Sequence, residues 1–440
     1  MEGGPKLPFY SHSVTLDPEK CHGCTNCIKR CPTEAIRVRK GRATITEYRC
    51  IDCGECIRNC PYRAKKAVTD PFESIFQYDI KVAIPAPALY GQFEESHSID
   101  AILSALIYIG FDEVFEVARA AELVAAETKR VLDAWQGPSP VISASCPAAL
   151  RLIQIRFPSL IDHVAPVLSP MEIAARIIRR HFADSGKNVG IFFISPCAAK
   201  VTDVRSPIGS AGSEVNGVIA IKDLYLQLRS ALGKCPVQPH RVAGSAGIAW
   251  ARIDGESDAV GERRRISVDG IANVIDVLEA AENGKLKNIA FIEAMACPAG
   301  CVGGPLVVEN PFIAKVRIRN RESQLTGQPI NPSLDPAQGG AGVAMAWTEP
   351  MHARGDLMLS MDMEQAMTME SELEAIAESL PGLDCGSCGA PTCRALAEDI
   401  VRGSAGKNDC VFKLRENVRK LVAEMVELEQ IKPPGLDRET

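Results

Sequence analysis

The stretch that decides the fold runs from residue 291 to 305 and reads FIEAMACPAGCVGGP. Its first half is an apolar run typical of a buried strand, and its second half places Cys297 and Cys301 directly after that run. Three other apolar runs also end on a proline or cysteine motif, namely IKVAIPAPA at 80–88, SPVISASC at 139–146 and NVGIFFISPC at 188–197. Amphipathic stretches such as SPMEIAARIIRRHFAD at 169–184 separate them. This alternation predicts an α/β fold with largely parallel sheets.

Four single cysteines follow these predicted strands: Cys146, Cys197, Cys297 and Cys301. In open α/β sheets, ligands bind at the carboxyl ends of the strands. We therefore expect the four cysteines to converge on one site.

The composition narrows the class of protein. The 440 residues include 17 cysteines, of which eight lie between 21 and 60, five between 146 and 301, and four between 385 and 410. No apolar run reaches about 18 residues, so no membrane span is predicted. The first residues lack a signal-peptide pattern, so we expect a cytoplasmic location, where cysteines more often bind metal than form disulfides. The net charge of −6 argues against nucleic-acid binding.

Residues 1–77 carry two cysteine runs with the x2-x2-x3-Pro spacing of bacterial two-cluster ferredoxins. Three cysteines of each run bind one [4Fe-4S] cluster, and the fourth reaches the other cluster. The first predicted ligand set is Cys21, Cys24, Cys27 and Cys60, and the second is Cys50, Cys53, Cys56 and Cys31. Residues 36–46 predict a hairpin around Gly41, and Pro32 and Pro61 predict helix starts. Two zinc ribbons are the alternative, although zinc sites seldom repeat this spacing.

A third metal-binding motif lies near the end of the chain and consists of Cys385, Cys388, Cys393 and Cys410. Gly386 and Gly389 allow a tight backbone around the sulfurs. The motif resembles a small iron–sulfur domain found in electron-transfer subunits and corrinoid proteins. Four thiolates also suit zinc, and the neighbouring cluster motifs favour a third accessory [4Fe-4S] cluster.

Three loops of the middle segment carry a family resemblance. SASCPAAL at 143–150, SPCAAK at 195–200 and EAMACPAGCVGGP at 293–305 resemble, in order and spacing, the signature loops of the [FeFe]-hydrogenase catalytic domain. The resemblance covers about residues 78–310. It implies that Cys146, Cys197, Cys297 and Cys301 bind the [4Fe-4S] part of an H-cluster. It also implies that Cys301 bridges to a two-iron subcluster that carries carbon monoxide, cyanide and a dithiolate with an amine.

The same resemblance implies a closed, mostly apolar pocket around the two-iron subcluster. The matching positions are Pro87, Ala88, Ser195, Lys200 and Met295. Lys200 would hold a cyanide through a charge-assisted hydrogen bond, and Met295 would pack against the iron unit. A surface lysine and a core methionine are the ordinary alternatives.

The chain departs from the family pattern at several pocket positions. Ser145 stands where catalytic members have a cysteine that relays protons, and a serine hydroxyl is a far weaker acid than a thiol. Ser195 replaces a methionine, Met171 replaces a glutamine, and the third loop continues as GGPLVVEN. These changes predict slow turnover. Together with the third cluster motif, they make the chain similar to divergent, sensory-type members of the family.

The tail at 409–431 has the pattern of a coiled-coil helix. Val411, Leu414, Val418, Leu421, Met425 and Leu428 are spaced alternately by three and four residues. The seam either packs on its own domain or binds a second copy or a signalling partner, and the sequence leaves these alternatives open.

The predicted organisation is an α/β multidomain protein with these segments: a two-cluster ferredoxin domain at 1–77, an H-cluster domain at 78–310, a linker and helix at 311–370, an iron–sulfur domain at 371–410, and an amphipathic helix and tail at 411–440. The leading hypothesis is an H2-sensing or low-activity hydrogenase whose catalytic candidates are Cys301, Lys200, Met295 and Ser145. Its partners would be H2, protons and a redox or signalling protein. The alternative is a non-catalytic electron-transfer or cluster-carrier protein on the same scaffold.

Overall fold

The structure, a computed structural model, describes residues 12–325, 335, 342–355, 358–360 and 362–431. The chain forms two compact units. The larger unit consists of Met1–Thr15, Glu47–Arg58 and Lys65–Asp356, and the smaller unit consists of Leu16–Thr46, Asn59–Ala64 and Leu357–Thr440. The ferredoxin segment contributes to both units, and the domain boundaries inferred from sequence stay predictions.

The strands of the described residues are short. They are β1 (Val14–Leu16), β2 (Ile36–Arg39), β3 (Arg42–Ile45), β4 (Lys65–Ala67), β5 (Ile80–Pro85), β6 (Glu113–Val114), β7 (Val141–Ile142), β8 (Val189–Ser195), β9 (Gly217–Ala220), β10 (Arg265–Asp269) and β11 (Phe291–Met295). The larger unit contains one parallel sheet in the order β6-β5-β8-β9 and another in the order β10-β11-β7. The predicted α/β class with parallel sheets is therefore confirmed.

The helices connect and cover these strands. They are α1 (Glu55–Arg58), α2 (Ile99–Tyr108), α3 (Val117–Asp133), α4 (Pro147–Arg156), α5 (Pro170–His181), α6 (Ala198–Arg205), α7 (Ile221–Ala231), α8 (Ser245–Ala249), α9 (Gly255–Val260), α10 (Ile271–Glu282), α11 (Pro311–Leu325), α12 (Met363–Ser379), α13 (Cys393–Val401) and α14 (Val411–Gln430). Several short 3-10 turns lie between them, including one at Pro87–Gln92 that directly follows β5.

Helices cover both faces of the four-stranded sheet, and successive side chains of each strand point to opposite faces. In β8, Phe192 and Ile194 pack in one apolar cluster, which includes residues of α2, α7, α8 and α11. Ile191 and Phe193 pack in the opposite cluster with residues of α3 and α5. Because both faces are apolar, the sequence of β8 is a continuous hydrophobic run.

The three-stranded sheet has its own apolar cluster. Ile142 of β7 and Ile292 of β11 pack there with residues of α4 and α10. Ile51 and Cys53, from the second ferredoxin loop, belong to the same cluster. This loop is therefore part of the core of the larger unit.

The helix starts predicted at Pro32 and Pro61 are wrong. Both prolines lie in turns, and β2 and β4 begin a few residues later. In each turn the preceding cysteine sulfur accepts a backbone amide, from Ala35 to Cys31 at 3.2 Å and from Ala64 to Cys60 at 3.2 Å. These amides bond to sulfur, so the chain enters a strand rather than a helix. The hairpin prediction is correct, since β2 and β3 are antiparallel and Gly41 between them has φ +72°.

The last helices of the smaller unit are α12, α13 and α14, and α14 confirms the helix predicted for the tail. Thr392 caps α13 by accepting a hydrogen bond from the amide of Ala395. Among the described residues, no helix has the length and apolar character needed to cross a bilayer. Most of residues 326–341 and all of residues 432–440 lie outside the described residues.

Candidate active site

Four cysteines meet in one cavity of the larger unit. Cys146, Cys197, Cys297 and Cys301 all line a cavity of about 100 Å³. Cys146 follows β7 and caps α4, Cys197 follows β8 and caps α6, and the other two follow β11. Strand ends and helix N-termini therefore place the sulfurs together, and the positive helix ends favour thiolates.

The loop from Cys297 to Cys301 depends on close backbone packing. Gly300 has φ +92°, and a Cβ at this position would lie 2.5 Å from the amide nitrogen of Ile253. A Cβ on Gly304 would lie 2.1 Å from the carbonyl oxygen of Pro196, next to Cys197. Only glycine fits both positions without displacing backbone. The glycines thus fix the two loops that carry three of the four cysteines.

The electrostatics of the cavity require a positive partner for the sulfurs. Burial raises the pKa of the Cys197 thiol, and nearby Cys297 and Cys146 raise it further. Burial and the same neighbours hold the pKa of Cys301 well above its ordinary value, although Cys301 is the most accessible of the four. Four thiolates in an apolar cavity repel one another unless a metal centre compensates their charge. The donor set therefore fits an iron–sulfur cluster.

The pocket residues predicted from sequence divide into two groups. Pro87, Ser145, Lys200 and Met295 line the cavity. Ala88 is fully buried beside it, and its carbonyl accepts a hydrogen bond from Gln92, whereas Ala86 takes the lining position. Ser195 is buried below the cavity, where its hydroxyl accepts from the amide of Cys197 and donates to its carbonyl at 3.0 Å.

Lys200 is buried and has an acidic partner. Its Nζ lies 2.9 Å from Oδ2 of Asp203, one turn further along α6. The ammonium keeps two further donors that this pair does not use. Lys200 can therefore present a charge to the cavity while Asp203 holds its position.

A buried acidic pair lies behind Ser145. The hydroxyl of Ser143 donates to both carboxylate oxygens of Glu256 at 2.7 and 2.8 Å, and the Ser145 side chain lies near the same carboxyl and lowers its pKa. Burial, together with the nearby charge of Glu293, raises the pKa of Glu256 to about 8. Glu256 therefore holds a proton at neutral pH and can exchange it in the physiological range.

Glu293 continues this arrangement away from the cavity. Its Oε2 accepts from the hydroxyl of Ser267 at 3.1 Å and from the amide of Ser257 at 3.0 Å. Burial raises the pKa of Glu293 as well, and its Oε1 has no hydrogen-bond partner among the described residues. Sequence reasoning missed both glutamates. The one available signal was an acidic residue inside the apolar strand FIEAM.

The second ferredoxin loop contacts the same cysteine site. Asp52, buried, accepts from the amides of Ser13 and Val14 at 2.9 and 3.0 Å and from the hydroxyl of Thr202 on α6. Arg58, at the end of α1, places Nη1 3.7 Å from the sulfur of Cys297 and 3.3 Å from the carbonyl of Gly303. The loop that carries Cys50, Cys53 and Cys56 is thereby fixed against the cavity wall.

The smaller unit brings the third cysteine motif together. Cys385, Cys388, Cys393 and Cys410 line one small cavity. The hydroxyl of Ser387 lowers the pKa of Cys385, and the charge of Lys29 adds to this effect. This set also fits a metal centre. Cys21, Cys24, Cys27, Cys31 and Cys60 lie in the same unit.

The third motif packs on the β2–β3 hairpin. The amide of Val38 donates to the carbonyl of Gly389 at 2.8 Å, and Arg39 donates to the carbonyl of Cys388 at 2.8 Å. Arg37 and Arg39 both bind the carboxylate of Asp399 on α13, at 2.8 and 2.6 Å. These contacts hold the third cysteine motif against the segment that follows the first ferredoxin loop.

Comparison with known proteins agrees with this geometry. The family model of the iron only hydrogenase large subunit, C-terminal domain, matches residues 79–235 and 229–305, which is more than half of the chain. A 4Fe-4S dicluster domain matches 13–61, and an Fe-S cluster domain matches 380–412. The chain belongs to the iron-only, or [FeFe], hydrogenase family.

Individual relatives are distant. The periplasmic [Fe] hydrogenase large subunit of Nitratidesulfovibrio vulgaris is 26% identical over 364 residues, which cover 68% of this chain and 86% of the relative. A cytosolic Fe-S cluster assembly factor, the NAR1 homolog of Schizosaccharomyces japonicus, is 28% identical over 99 residues, 21% of this chain and 19% of that one. A structure of a variant of [FeFe]-hydrogenase HydA1 from Chlamydomonas reinhardtii aligns over 63% of this chain and 96% of its own, with 15% identity and a TM-score of 0.48.

Proposed function

We propose that this protein is an H2-sensing or low-activity [FeFe]-hydrogenase that cleaves H2 heterolytically and reversibly. The observation that carries the proposal is the single cavity in which the four cysteines meet Ser145, Lys200 and Met295. When bound there, an H-cluster would supply the iron site that splits H2. Cys146, Cys197, Cys297 and Cys301 would hold its [4Fe-4S] part, and Cys301 would bridge to the two-iron part.

The pocket residues provide positioning and a dry environment. Pro87 and Met295 close the cavity with apolar surface, which excludes water and strengthens electrostatic interactions inside. Lys200, oriented by Asp203, supplies the positive charge for an anionic ligand of the iron unit. Met171 occupies the cavity wall where catalytic relatives have a hydrogen-bonding amide, so this part of the wall only packs.

Protons would leave through serine and glutamate side chains rather than through a thiol. Ser145 lines the cavity and contacts Glu256, which in turn interacts with Glu293. The hydroxyl of Ser267, bound to Glu293, continues the route toward the partly exposed Arg265 end of β10. The Ser145 hydroxyl passes a proton only by accepting and donating at once, which makes the first step the slow one.

Electrons would enter or leave on the side of Cys297. Arg58 contacts this cysteine and also belongs to the loop that carries Cys50, Cys53 and Cys56. The contact joins the four-cysteine cavity to the loop of Cys50, Cys53 and Cys56 through one side chain. The motif at Cys385–Cys410 would then serve as a further redox site for a protein partner.

The activity itself is tested with the matured protein under H2. We expect H2-dependent reduction of its clusters, seen as bleaching of the visible iron–sulfur absorption, together with slow exchange between D2 and water. A matched sample of unmatured protein is the control. Full loading of the two-iron site with no bleaching and no exchange would contradict the proposal.

A second candidate function is a non-catalytic cluster carrier. It is favoured by the similarity to a cytosolic Fe-S cluster assembly factor and by the Lys200–Asp203 pair, which partly neutralises the charge that a cyanide ligand needs. A carrier would pass a [4Fe-4S] cluster to an apo-ferredoxin in stoichiometric amounts. Retention of all clusters in the presence of an excess of apo-acceptor would exclude this function.

A further inference from the structure

We infer that α14 binds the same helix of a second copy of this chain in antiparallel orientation. The inference is independent of the hydrogenase activity. The helix extends over Val411–Gln430, and none of its residues is buried. A two-stranded antiparallel coiled coil would cover its apolar side.

The apolar side of α14 is continuous and exposed. Leu421 is 58% exposed, Met425 is 62% exposed and Leu428 is 66% exposed, and Leu414 and Val418 extend the same stripe toward the start of the helix. Their spacing of three and four residues is that of a coiled-coil seam. A stripe of this kind on a folded protein marks an interaction surface.

The charges along α14 identify the partner and its direction. Residues 411–420 contain four basic residues and one acidic residue, a net charge of +3, whereas residues 421–430 contain three acidic residues and no basic residue, a net charge of −3. A parallel second copy would place like charges on like charges. An antiparallel copy places each basic half beside an acidic half, which is the complementary arrangement.

The acidic half is available for this pairing. Within the described part of the chain, Glu424, Glu427 and Glu429 have no ion-pair partner. In the basic half, Glu416 binds Lys413 and Lys420, each at 2.9 Å, whereas Arg415 and Arg419 have no such partner among the same residues. Arg415, Glu424 and Glu429 directly flank the apolar seam, so an antiparallel pair brings this arginine of one copy near the two glutamates of the other.

Other segments of this chain are poor candidates for covering the helix. The undescribed segments read MEGGPKLPFYS at 1–11 and KPPGLDRET at 432–440, and the largely undescribed segment at 326–341 reads TGQPINPSLDPAQGGA. They are rich in proline and glycine and carry no three-and-four repeat of apolar residues. A second α14 supplies both the repeat and the charge pattern.

Two half-reversed variants of the full-length protein test the pairing. The acidic variant carries K413E, R415E and R419E, and the basic variant carries E424K, E427K and E429K. Sedimentation equilibrium and light scattering should show a dimer for the wild type, a dimerisation Kd raised roughly tenfold or more for each variant alone, and a dimer again for their equimolar mixture. High salt should weaken dimerisation of the wild type and strengthen the self-association of each variant when it is alone.

The outcomes separate the alternatives. In a parallel dimer, each reversal only exchanges one like-charge contact for another, so unchanged self-association of the variants would overturn the antiparallel pairing. A wild type that is monomeric at all concentrations, or a dimer that survives L421S together with M425S, would overturn the use of this surface. Equal iron content and helical circular dichroism in all variants show that the fold is intact, since the substituted side chains are exposed except for the half-buried Lys413.

Discussion

The guanidinium of Arg58 lies 3.7 Å from the sulfur of Cys297, although 239 residues separate them in the sequence. Arg58 also binds Glu55 at 2.7 Å and the carbonyl of Cys53 at 2.9 Å. One arginine of the second ferredoxin loop thus contacts a cysteine of the four-cysteine cavity. Its charge lowers the pKa of Cys297, in opposition to the effect of burial.

Replacing Arg58 with glutamine should lower the midpoint potential of the metal centre held by Cys297. A nearby positive charge stabilises the reduced, more negative state, so its loss favours the oxidised state by roughly tens of millivolts. Redox titration followed by electron paramagnetic resonance measures this shift. The midpoint potential of R58K should stay near that of the wild type. R264Q, which removes an exposed arginine, should leave the potential unchanged. An R58Q potential equal to that of the wild type would refute the coupling.

Replacing Ser145 with cysteine should increase the turnover of matured protein by about tenfold or more, because a thiol is a much better proton donor than a hydroxyl. S145A should decrease turnover, since alanine cannot contact Glu256. H2 oxidation with an artificial acceptor measures both effects. The exposed S230C variant controls for the addition of a thiol elsewhere. Identical rates for S145C, S145A and the wild type would show that protons take another route.

The raised pKa of Glu256 predicts a pH-dependent stability. The folded state keeps this carboxyl protonated up to about pH 8, whereas the unfolded state loses the proton near its ordinary value of 4.5. The free energy of unfolding should therefore fall as the pH rises through this window, by up to about 1.4 kcal/mol per pH unit. The glutamine of E256Q is neutral at all pH values, so this variant should lose the part of the pH dependence of the free energy of unfolding that Glu256 causes.

Denaturation midpoints from pH 5 to 9 measure the difference between wild type and E256Q. The E349Q variant, at an exposed glutamate, serves as the matched control. Infrared difference spectra in H2O and D2O should also show one protonated carboxyl fewer in E256Q at pH 7. Parallel stability profiles for wild type and E256Q would contradict the assignment.

Replacing Asp399 with asparagine should release the third cysteine motif from the β2–β3 hairpin. Arg37 is buried and loses its charged partner, and breaking a buried ion pair costs about 3–5 kcal/mol. We expect earlier unfolding of the smaller unit and loss of iron from the site at Cys385–Cys410. E398Q, which breaks the more exposed pair with Arg402 on the same helix, should change stability by less than about 1 kcal/mol. Equal iron content in D399N and E398Q would argue against a role of Asp399 in holding the third cysteine motif on the hairpin.

Local patterns were enough to predict much of the fold. Apolar runs that end on a proline or cysteine motif identified β5, β7, β8 and β11, and the alternation around Gly41 identified the hairpin. The convergence of Cys146, Cys197, Cys297 and Cys301 followed from the general position of sites at strand ends. The four strands, however, divide between two sheets, and no local pattern shows which strands pair.

The parts that escaped prediction depend on contacts between distant residues. Glu256 binds Ser143 across 113 positions, and nothing around Glu256 in the sequence indicates a buried carboxyl. The turns after Cys31 and Cys60 differ from the predicted helices because sulfur accepts an amide there, which propensities do not describe. The role of Arg58 became visible only once the second ferredoxin loop was placed in the core of the larger unit.

Infrared spectroscopy of the matured protein, combined with an iron count, tests the central claim most directly. If the cavity holds a two-iron unit beside Lys200 and Met295, the spectrum shows carbon monoxide and cyanide stretches, and K200A shifts or removes the cyanide stretches. A fully matured sample that contains iron only as [4Fe-4S] clusters and shows no such stretches would contradict the hydrogenase account.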